Sequence, residues 1–281
     1  IGVLPEGPIW DHRTGRLCWV DIDRGQLWYA PVGGKPSIIW SDDDYLSGVW
    51  LARNGALVVA SGQGIRRLND DGRDLGAVSG APVLDAWMRF NDGAVDPQGR
   101  LVVGTMGREE ADFVQPLGVL YRLTAKDKYE VLVEGLTISN GVGWSPDGRT
   151  MYLADTIRRR ILVISYATAR WPLAADDCDA IALDALPDGL TVREDGALVV
   201  ACITSGCLSI LSPAGDLLEK VSVPASCPTA CCFGGPTMDR MFITTSTHLL
   251  GPDHGEAEAG KVLAMKGFGR GLRAVEFGGM G

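Results

Sequence analysis

A short motif recurs along this chain: a polar residue, then glycine, then an apolar run. It occurs five times, with the glycines at positions 7, 48, 93, 141 and 189. The successive intervals between these glycines are therefore 41, 45, 48 and 48 residues. A sixth copy, which lacks the glycine, begins near Thr229. Repeats of about 40–50 residues that contain several short strands are typical of the blades of a β-propeller.

Each repeat has the pattern of a small antiparallel sheet. An apolar strand follows the glycine, and a turn rich in Asp, Asn, Pro or Gly leads into a second, more strongly apolar strand. Such turns between apolar runs predict hairpins. We therefore predict an all-β fold, a six-bladed β-propeller with four antiparallel strands per blade, in which residues 1–281 form a single domain. An open β-solenoid is the alternative, but the long, loop-rich repeat favours blades.

The charge and the cysteines restrict the partners and the compartment. The chain has 26 Lys and Arg against 35 Asp and Glu, a formal net charge of −9, which argues against nucleic acid or an anionic membrane as a partner. No apolar run is long enough to span a bilayer, and no signal peptide is visible. The seven cysteines are odd in number and form no paired CxxC motifs, so we expect reduced, buried thiols in a cytoplasmic protein. Because the chain starts at Ile1 without Met, we also expect some native residues to precede it.

The repeat brings polar residues from distant parts of the chain to one face of the predicted propeller. In each blade the first strand descends along the central channel and the second strand returns. Residues before a first strand and residues after a second strand therefore share a face, here called the top. The first group crowds the channel axis and consists of Glu6, Ser47, Asn91, Asp92, Asn140 and Asp188. The second group consists of Asp21, Glu109, Asp155 and the 247–259 loop.

The residues at the channel mouth predict a metal site. Glu6 and Asp188 would contribute carboxylates and Asn140 a carboxamide, and no His or Cys occupies an equivalent position. Oxygen ligands suit a hard divalent cation such as Ca²⁺, Mg²⁺ or Mn²⁺, and Zn²⁺ or Fe²⁺ is an alternative occupant. A single Asn-Gly or Asp-Gly pair would be an ordinary turn. The same register in several blades favours a site.

Two further polar residues on the top face have two interpretations each. Arg89 either neutralises a carboxylate of the site or binds an oxygen-rich ligand bidentately. Asp155 is either a ligand or a structural hydrogen-bond acceptor. Insertions at 107–117 and 247–259 follow second strands on the same face. Helix is expected only as a short turn within residues 170–179.

Six segments resemble the motifs of a known family, in the family's order. They are LPEGPIW at 4–10, RFNDG at 89–93, GTM at 104–106 with Glu109, SNG at 139–141, PDG at 187–189 and CCFGG at 231–235. The family is that of gluconolactonase, senescence marker protein (regucalcin-like) and luciferin-regenerating enzyme, and the resemblance extends from Glu6 to about Ala264. It implies a six-bladed propeller that binds one divalent metal ion and hydrolyses sugar lactones.

The resemblance also implies roles for individual residues. It places the metal on Glu6, Asn140 and Asp188, makes Asp188 the general base, and makes Arg89, Asn91 and Glu109 substrate contacts. The chain departs from the family's pattern at Pro5, where a glycine is usual, and at STHLL (246–250), where a small residue and Arg are frequent. Both departures lie near the mouth and affect the expected substrate preference more than the chemistry. The family strand that precedes the metal glutamate and helps close the last blade is shortened here.

We therefore expect a metal-dependent hydrolase that opens a sugar lactone, an aldonolactone such as gluconolactone, to the aldonic acid. The metal would polarise the lactone carbonyl, and Asp188 would accept a proton from the attacking water. Three alternatives stand beside this reading: a non-catalytic calcium-binding propeller, hydrolysis of other esters or phosphotriesters at the same metal, and a protein-interaction propeller with an exposed aromatic surface. The expected partner is a small-molecule sugar lactone, and the expected state is a monomer or small homo-oligomer.

Overall fold

The computed structural model describes residues 1–124, 128–251 and 253–278, and these residues form six β-sheets. The first sheet contains β1 (Pro5–Asp11), β2 (Arg16–Asp21), β3 (Gln26–Pro31) and β4 (Ser37–Ser41). The second contains β5 (Leu46–Leu51), β6 (Leu57–Ser61), β7 (Gly64–Leu68) and β8 (Asp74–Ala77). The third contains β9 (Met88–Val95), β10 (Leu101–Gly107), β11 (Gly118–Thr124) and β12 (Lys128–Leu136), with the two-residue β16 (Leu173–Ala174) added parallel to β12.

The remaining sheets follow in chain order. The fourth contains β13 (Ser139–Trp144), β14 (Thr150–Asp155), β15 (Arg160–Ser165) and β17 (Asp179–Ala182). The fifth contains β18 (Leu186–Val192), β19 (Leu198–Ile203), β20 (Cys207–Leu211) and β21 (Leu217–Ser222). The sixth, within the described residues, contains β22 (Pro228–Gly234), β23 (Arg240–Thr245) and β24 (Val262–Met265). All the other strand pairs are antiparallel, as predicted.

The sheets close into a ring. The first strands of successive sheets contact one another, and β1 of the first sheet packs against β22 of the last as well as against β5. This closure confirms the six-bladed propeller, and the alternative of an open solenoid is wrong because its two ends would not meet. The first strands therefore surround a central channel.

Packing between the sheets explains why the second strands are almost continuously apolar. Every residue of β6 is buried, and the same holds for five of the six residues of β19. A strand covered on both faces loses the alternation of polar and apolar residues. Fully burying one Leu or Val side chain stabilises the fold by about 1.5–3 kcal/mol, so the interfaces between blades hold the ring together. Trp10, Trp19 and Trp144 are buried in these interfaces, as their positions inside strands indicated.

The C-terminal segment 266–278 crosses the face opposite the top, which the sequence did not indicate. The Phe277 amide donates to Leu51 O (2.7 Å), and the Gly271 amide donates to Met238 O (2.9 Å). The segment thus joins the second sheet to the sixth. A cavity of about 350 Å³ lies in the channel between the first strands and residues 272–275.

Helix is as scarce as predicted. A 3₁₀ turn at Ala175–Asp177 falls within the predicted stretch 170–179. A second turn, Glu110–Asp112, lies in the 107–117 insertion, where none was predicted. Within the described ranges, no helix has the length and apolar character needed to cross a membrane.

Candidate active site at the channel mouth

A β-bulge at the repeated motif aims polar side chains at the channel mouth. In the fourth blade, Ser139 pairs with Asp155 and Val142 with Leu153, so Asn140 and Gly141 together face a single residue of β14. The register shifts at the equivalent place in the other five blades. A bulge bends the strand and redirects the side chain beside it. The recurring polar residue is therefore turned out of the sheet toward the axis.

The glycine of the motif lets the first strands approach closely. A Cβ atom on Gly141 would lie 2.7 Å from Asp188 O, and a Cβ atom on Gly189 would lie 2.7 Å from the Ala230 Cα. Real side chains do not tolerate such distances, so glycine is needed at these positions. The result is a narrow mouth in which residues of neighbouring blades come together.

The mouth concentrates buried acidic groups. Glu6 is 7% exposed and Asp188 is 4% exposed. Burial, followed by the negative charges of Asp188 and Asp92, raises the pKa of Glu6 well above its ordinary value. Burial and the charge of Asp92 do the same to the pKa of Asp188, and Asn140 and Arg89 partly oppose that shift. Side chains from blades one, three, four and five therefore affect one another's charge at the channel mouth.

Asp92 is a third carboxylate of the mouth, and the sequence analysis gave it no role. Burial raises the pKa of Asp92 to about 6. Its Oδ1 accepts a hydrogen bond from the Gly93 amide (2.7 Å), just as Glu6 Oε2 accepts one from the Gly7 amide (2.8 Å). The signal was present in the sequence, since Asp92 precedes a repeat glycine as Glu6 does. The resemblance assigns a role to its neighbour Asn91 instead.

The donor chemistry of the mouth fits a divalent cation. Buried carboxylates that repel one another require protons or a cation to compensate their charge. Asn140 is 7% exposed, and its Nδ2 donates to Thr156 Oγ1 (3.2 Å), which leaves its carbonyl oxygen for another partner. In the described part of the chain, no three or more His, Cys, Asp or Glu side chains are already placed to hold an ion. The carboxylates of Glu6, Asp92 and Asp188 are thus not such a group, and the predicted ligand set combines two of them with the Asn140 carboxamide.

Arg89 lies at the mouth beside the acids. Its Nη1 donates to Asn91 Oδ1 (2.8 Å) and to Phe90 O (3.0 Å). Burial lowers its pKa, and the charges of Tyr45, Asp23 and Glu6 partly oppose this. Among the residues that the structure describes, Arg89 makes no ion pair within 4.0 Å. Both interpretations of Arg89 therefore stand: its charge lowers the pKa values of Glu6 and Asp188, and its other guanidinium N–H groups have no acceptor among the described residues.

Asn91 and Glu109 differ in how they are held. The Asn91 carboxamide is occupied on both sides, because Oδ1 accepts from Arg89 and Nδ2 donates to Ser139 O (2.9 Å). Glu109 is exposed at the start of the 3₁₀ turn in the 107–117 insertion. Asn91 thus orients Arg89 and links two blades, whereas the Glu109 side chain lies on the rim.

Two acidic residues of the top face are structural acceptors. Asp155 accepts hydrogen bonds from the Thr137 amide (2.9 Å) and from Arg160 Nε (3.0 Å), and it also bonds the Thr137 hydroxyl. Asp21 accepts hydrogen bonds from the amides of Val3 (3.0 Å) and Leu4 (3.1 Å). Both are fully buried, and their oxygens hold in place the chain that precedes the first strand of their own blade. This settles the question left open for Asp155 in favour of the structural role.

Comparison with known proteins gives consistent matches. The model of the SMP-30/Gluconolactonase/LRE-like region matches residues 4–247. Pentonolactonase XacC of Haloferax volcanii is 31% identical over 247 residues, which cover 86% of this chain and 81% of that protein. Regucalcin of Oryctolagus cuniculus is 30% identical over 271 residues, which cover 94% of this chain and 91% of that protein. The solved structure of a luciferin-regenerating enzyme, at 27% identity, aligns with a TM-score of 0.86 over 99% of this chain and 96% of that one.

Proposed function

The chain belongs to the SMP-30/gluconolactonase/LRE-like family, and from this premise we propose that it is a metal-dependent lactonase that opens sugar lactones to their hydroxy acids. The observation that carries the proposal is the pair of buried carboxylates Glu6 and Asp188 with the buried carboxamide of Asn140 at the channel mouth, and the half-buried carboxylate of Asp92 that acts on both. A pentonolactonase among the relatives supports a lactone as the substrate. The substrate class is an aldonolactone, such as gluconolactone, and the product is the aldonic acid.

Glu6, Asn140 and Asp188 are the proposed ligands of one divalent ion. Their oxygens suit Ca²⁺, Mg²⁺ or Mn²⁺, and Zn²⁺ or Fe²⁺ is compatible with the same set. Such an ion acts on a carbonyl group as a Lewis acid. Its charge would also compensate the mutual repulsion that raises the pKa values of Glu6 and Asp188.

Asp188 is the proposed general base. Besides burial, the charge of Asp92 raises the pKa of Asp188, and Asn140 and Arg89 lower it. A base works best when its pKa lies near the operating pH, and burial moves the pKa of Asp188 upward, in that direction. In hydrolysis, an oxygen of Asp188 would take a proton from the attacking water while the water oxygen bonds to the lactone carbonyl carbon. The ring C–O bond then breaks, and the proton is returned to the departing oxygen.

Arg89, Asn91 and Glu109 are the proposed substrate contacts. Arg89 retains guanidinium N–H groups that no described residue accepts, and Asn91 holds the group in one orientation. A fixed, forked donor is suited to neighbouring hydroxyl or carbonyl oxygens of a sugar. Glu109, on the exposed rim, would accept a hydrogen bond from a hydroxyl group.

The proposal also covers compartment and assembly. All seven cysteines are free, and burial raises the pKa values of several of their thiols, including Cys231. Unreactive, reduced thiols are suited to the cytoplasm, where we place the protein. We propose a monomer or small homo-oligomer that acts on a small molecule and binds neither nucleic acid nor membrane.

The test is turnover of a lactone panel by metal-stripped protein refilled with one metal at a time. We expect hydrolysis of aldonolactones with at least one of Ca²⁺, Mg²⁺, Mn²⁺, Zn²⁺ or Fe²⁺, and no turnover without metal. Glu6→Gln serves as the control, because it removes one charge from the ligand set and should require a higher metal concentration for the same rate.

Two results would replace the proposal with another function. Stoichiometric Ca²⁺ binding without turnover of any lactone would make this a calcium-binding propeller. Turnover of a phosphotriester or simple aryl ester, but of no lactone, would assign a different substrate class to the same site. An interaction propeller has less support, since Trp10, Trp19 and Trp144 are buried and not part of an exposed aromatic surface.

A further inference from the structure

His248 stands at the start of the 247–259 loop, where the chain leaves β23 at the top face. Its amide donates to Ser246 Oγ (2.8 Å) and to Val3 O (3.2 Å). These bonds anchor the backbone of a loop residue to the chain that leads into β1. The residue therefore has a defined position although its side chain is 40% exposed.

The His248 ring is oriented by Asp23, which belongs to the β2–β3 loop of the first blade. His248 Nδ1 lies 2.6 Å from Asp23 Oδ2, and the Asp23 side chain is 33% exposed. Because a carboxylate only accepts hydrogen bonds, Nδ1 carries the proton and donates it. The other ring nitrogen, Nε2, has no hydrogen-bond partner in the described residues. The hydrogen bond with Asp23 therefore fixes the direction in which His248 Nε2 points.

The pair lies on the top face, where the chain leaves β2 and β23 and beside the residues that lead into β1. The hydrogen bond with Asp23 raises the pKa of His248, while the charges of Glu110 and Arg89 also act on it. The charge of Asp23 in turn acts on Arg89. His248 and Asp23 therefore share the top face with Arg89 and the insertion of the third blade, since both follow second strands. Neither His248 nor Asp23 is among the residues assigned to metal binding or proton transfer above.

The difference in depth between Asp188 and His248 determines which part of a bound substrate His248 can contact. The reacting carbonyl must reach Asp188, which is 4% exposed, whereas His248 lies at the open rim. Groups of a sugar lactone that meet the rim are those remote from its carbonyl carbon. In a hexono-1,5-lactone these are the hydroxyl group on C4 and the exocyclic hydroxymethyl group on C5, and the hydroxymethyl group extends furthest from the ring.

We propose that His248, held by Asp23, determines substrate specificity by hydrogen-bonding the exocyclic hydroxyl group of a sugar lactone. The inference rests on the proposed lactonase function and adds the part of the substrate that the enzyme distinguishes. Nε2 serves as acceptor when the ring is neutral and as donor when it is protonated, and a hydroxyl group complements both. The enzyme should accordingly prefer hexonolactones to pentono-1,5-lactones that lack this group.

The experiment compares glucono-1,5-lactone with xylono-1,5-lactone, which lacks only the hydroxymethyl group. A hydrogen bond at a partly exposed site contributes about 0.5–1.5 kcal/mol. His248→Ala should therefore lower the ratio of kcat/KM for glucono-1,5-lactone over xylono-1,5-lactone by about twofold to thirteenfold. The change should come through KM for gluconolactone, since the contact exists before and during reaction. Asp23→Asn should lower the ratio in the same direction, because it weakens the orientation of the ring.

His254→Gln is the matched control, because His254 lies in the same loop and its Nδ1 accepts only the Glu256 amide among described residues. We expect this variant to keep the wild-type ratio. Melting temperature and metal affinity are measured for every variant. An equal loss of activity on both lactones with a lowered melting temperature would make the pair a structural link between blades, and would overturn the inference.

Two further outcomes separate this inference from the proposed function. A wild-type enzyme that hydrolyses both lactones with equal kcat/KM, or a ratio unchanged in His248→Ala, overturns the specificity role and leaves the lactonase proposal intact. A wild-type protein that hydrolyses neither lactone with any metal overturns the proposed function itself.

Discussion

Glu6 and Asp188 lie on the first strands of the first and fifth blades, yet the negative charge of Asp188 contributes, after burial, to raising the pKa of Glu6. Two carboxylates that are almost fully buried and repel one another are costly unless a proton or a cation compensates them. The bulges and glycines of the first strands impose this proximity. Ring closure therefore brings these carboxylates together, and their repulsion is the basis on which a divalent cation is proposed for the site.

The first prediction separates the two proposed roles of Asp188. Asp188→Asn keeps an oxygen at the same place but cannot accept a proton from water. Metal should bind more weakly and be restored by a higher metal concentration, whereas kcat at saturating metal should stay low by about 10²–10⁴-fold. Steady-state rates across a metal titration measure this. Recovery of near wild-type kcat would leave Asp188 as a ligand only and direct the search for a base to Glu109.

The second prediction concerns the pH dependence of stability in metal-free protein. The pKa values of Glu6, Asp92 and Asp188 are raised in the folded state, so that state binds protons more tightly than the unfolded state. The stabilisation of the folded state by protonation of these three carboxyl groups is complete below about pH 4, the ordinary range of carboxyl pKa values. It is lost as the pH rises through about 6, the pKa of Asp92, and beyond.

Asp92→Asn should reduce this loss, because it removes one of the repelling charges. The melting temperature of the metal-free variant should rise relative to wild type as the pH increases from 4 to 8. Asp43→Asn, a charge change at an exposed loop residue, should show no such trend. Added Ca²⁺ should stabilise wild type more at pH 8 than at pH 5, since protons compete with the metal. A pH-independent difference between Asp92→Asn and wild type would contradict the raised pKa of Asp92.

The third prediction tests Arg89 as a substrate contact. Arg89→Ala should raise KM for a lactone about tenfold to a hundredfold, the range expected for a charged hydrogen bond of about 1.5–3 kcal/mol. Metal affinity, measured by calorimetry, should stay near the wild-type value. Arg89→Lys keeps the charge but loses the forked geometry held by Asn91, so it should restore KM only in part. Loss of metal binding with an unchanged KM would make Arg89 a structural residue.

The fourth prediction concerns the glycine of the repeat. Gly141→Ala would bring a Cβ atom to 2.7 Å from Asp188 O, so the first strands of two blades must separate. We expect destabilisation of about 1–3 kcal/mol in denaturant unfolding, together with weaker metal binding. Gly251→Ala, where a Cβ atom would meet nothing within 4 Å, is the control. Unchanged stability of Gly141→Ala would show that the ring can relax at its axis.

The fifth prediction distinguishes neighbouring acids of the 107–117 insertion. Glu109→Gln should raise KM for a lactone and leave metal affinity unchanged, whereas Glu110→Gln should have the smaller effect. Both residues are exposed, so neither change should alter the melting temperature appreciably. The reverse order of effects on KM would identify Glu110 as the contact.

The repeat of a polar residue and glycine was sufficient to predict the number of blades and the antiparallel sheets. It also selected Glu6, Asn140 and Asp188, whose role as ligands stays a prediction. These depend on patterns within about 50 residues, and strand alternation and turn chemistry act over that range. The buried second strands and the short turn near Ala175 belong to the same local information.

Other features depend on distances that only the closed ring determines. The inclusion of Asp92 among the mutually repelling acids, the hydrogen bond from Asn91 to Ser139 of the next blade, and the crossing of the C-terminal segment all join residues of different blades or elements. The pair of Asp23 and His248, separated by 225 positions, is the clearest case. Local sequence determines which strands form, because hydrophobic periodicity and turns act between near neighbours. Charge repulsion and hydrogen bonding depend on separation in space, and closure of the first blade against the sixth decides that separation.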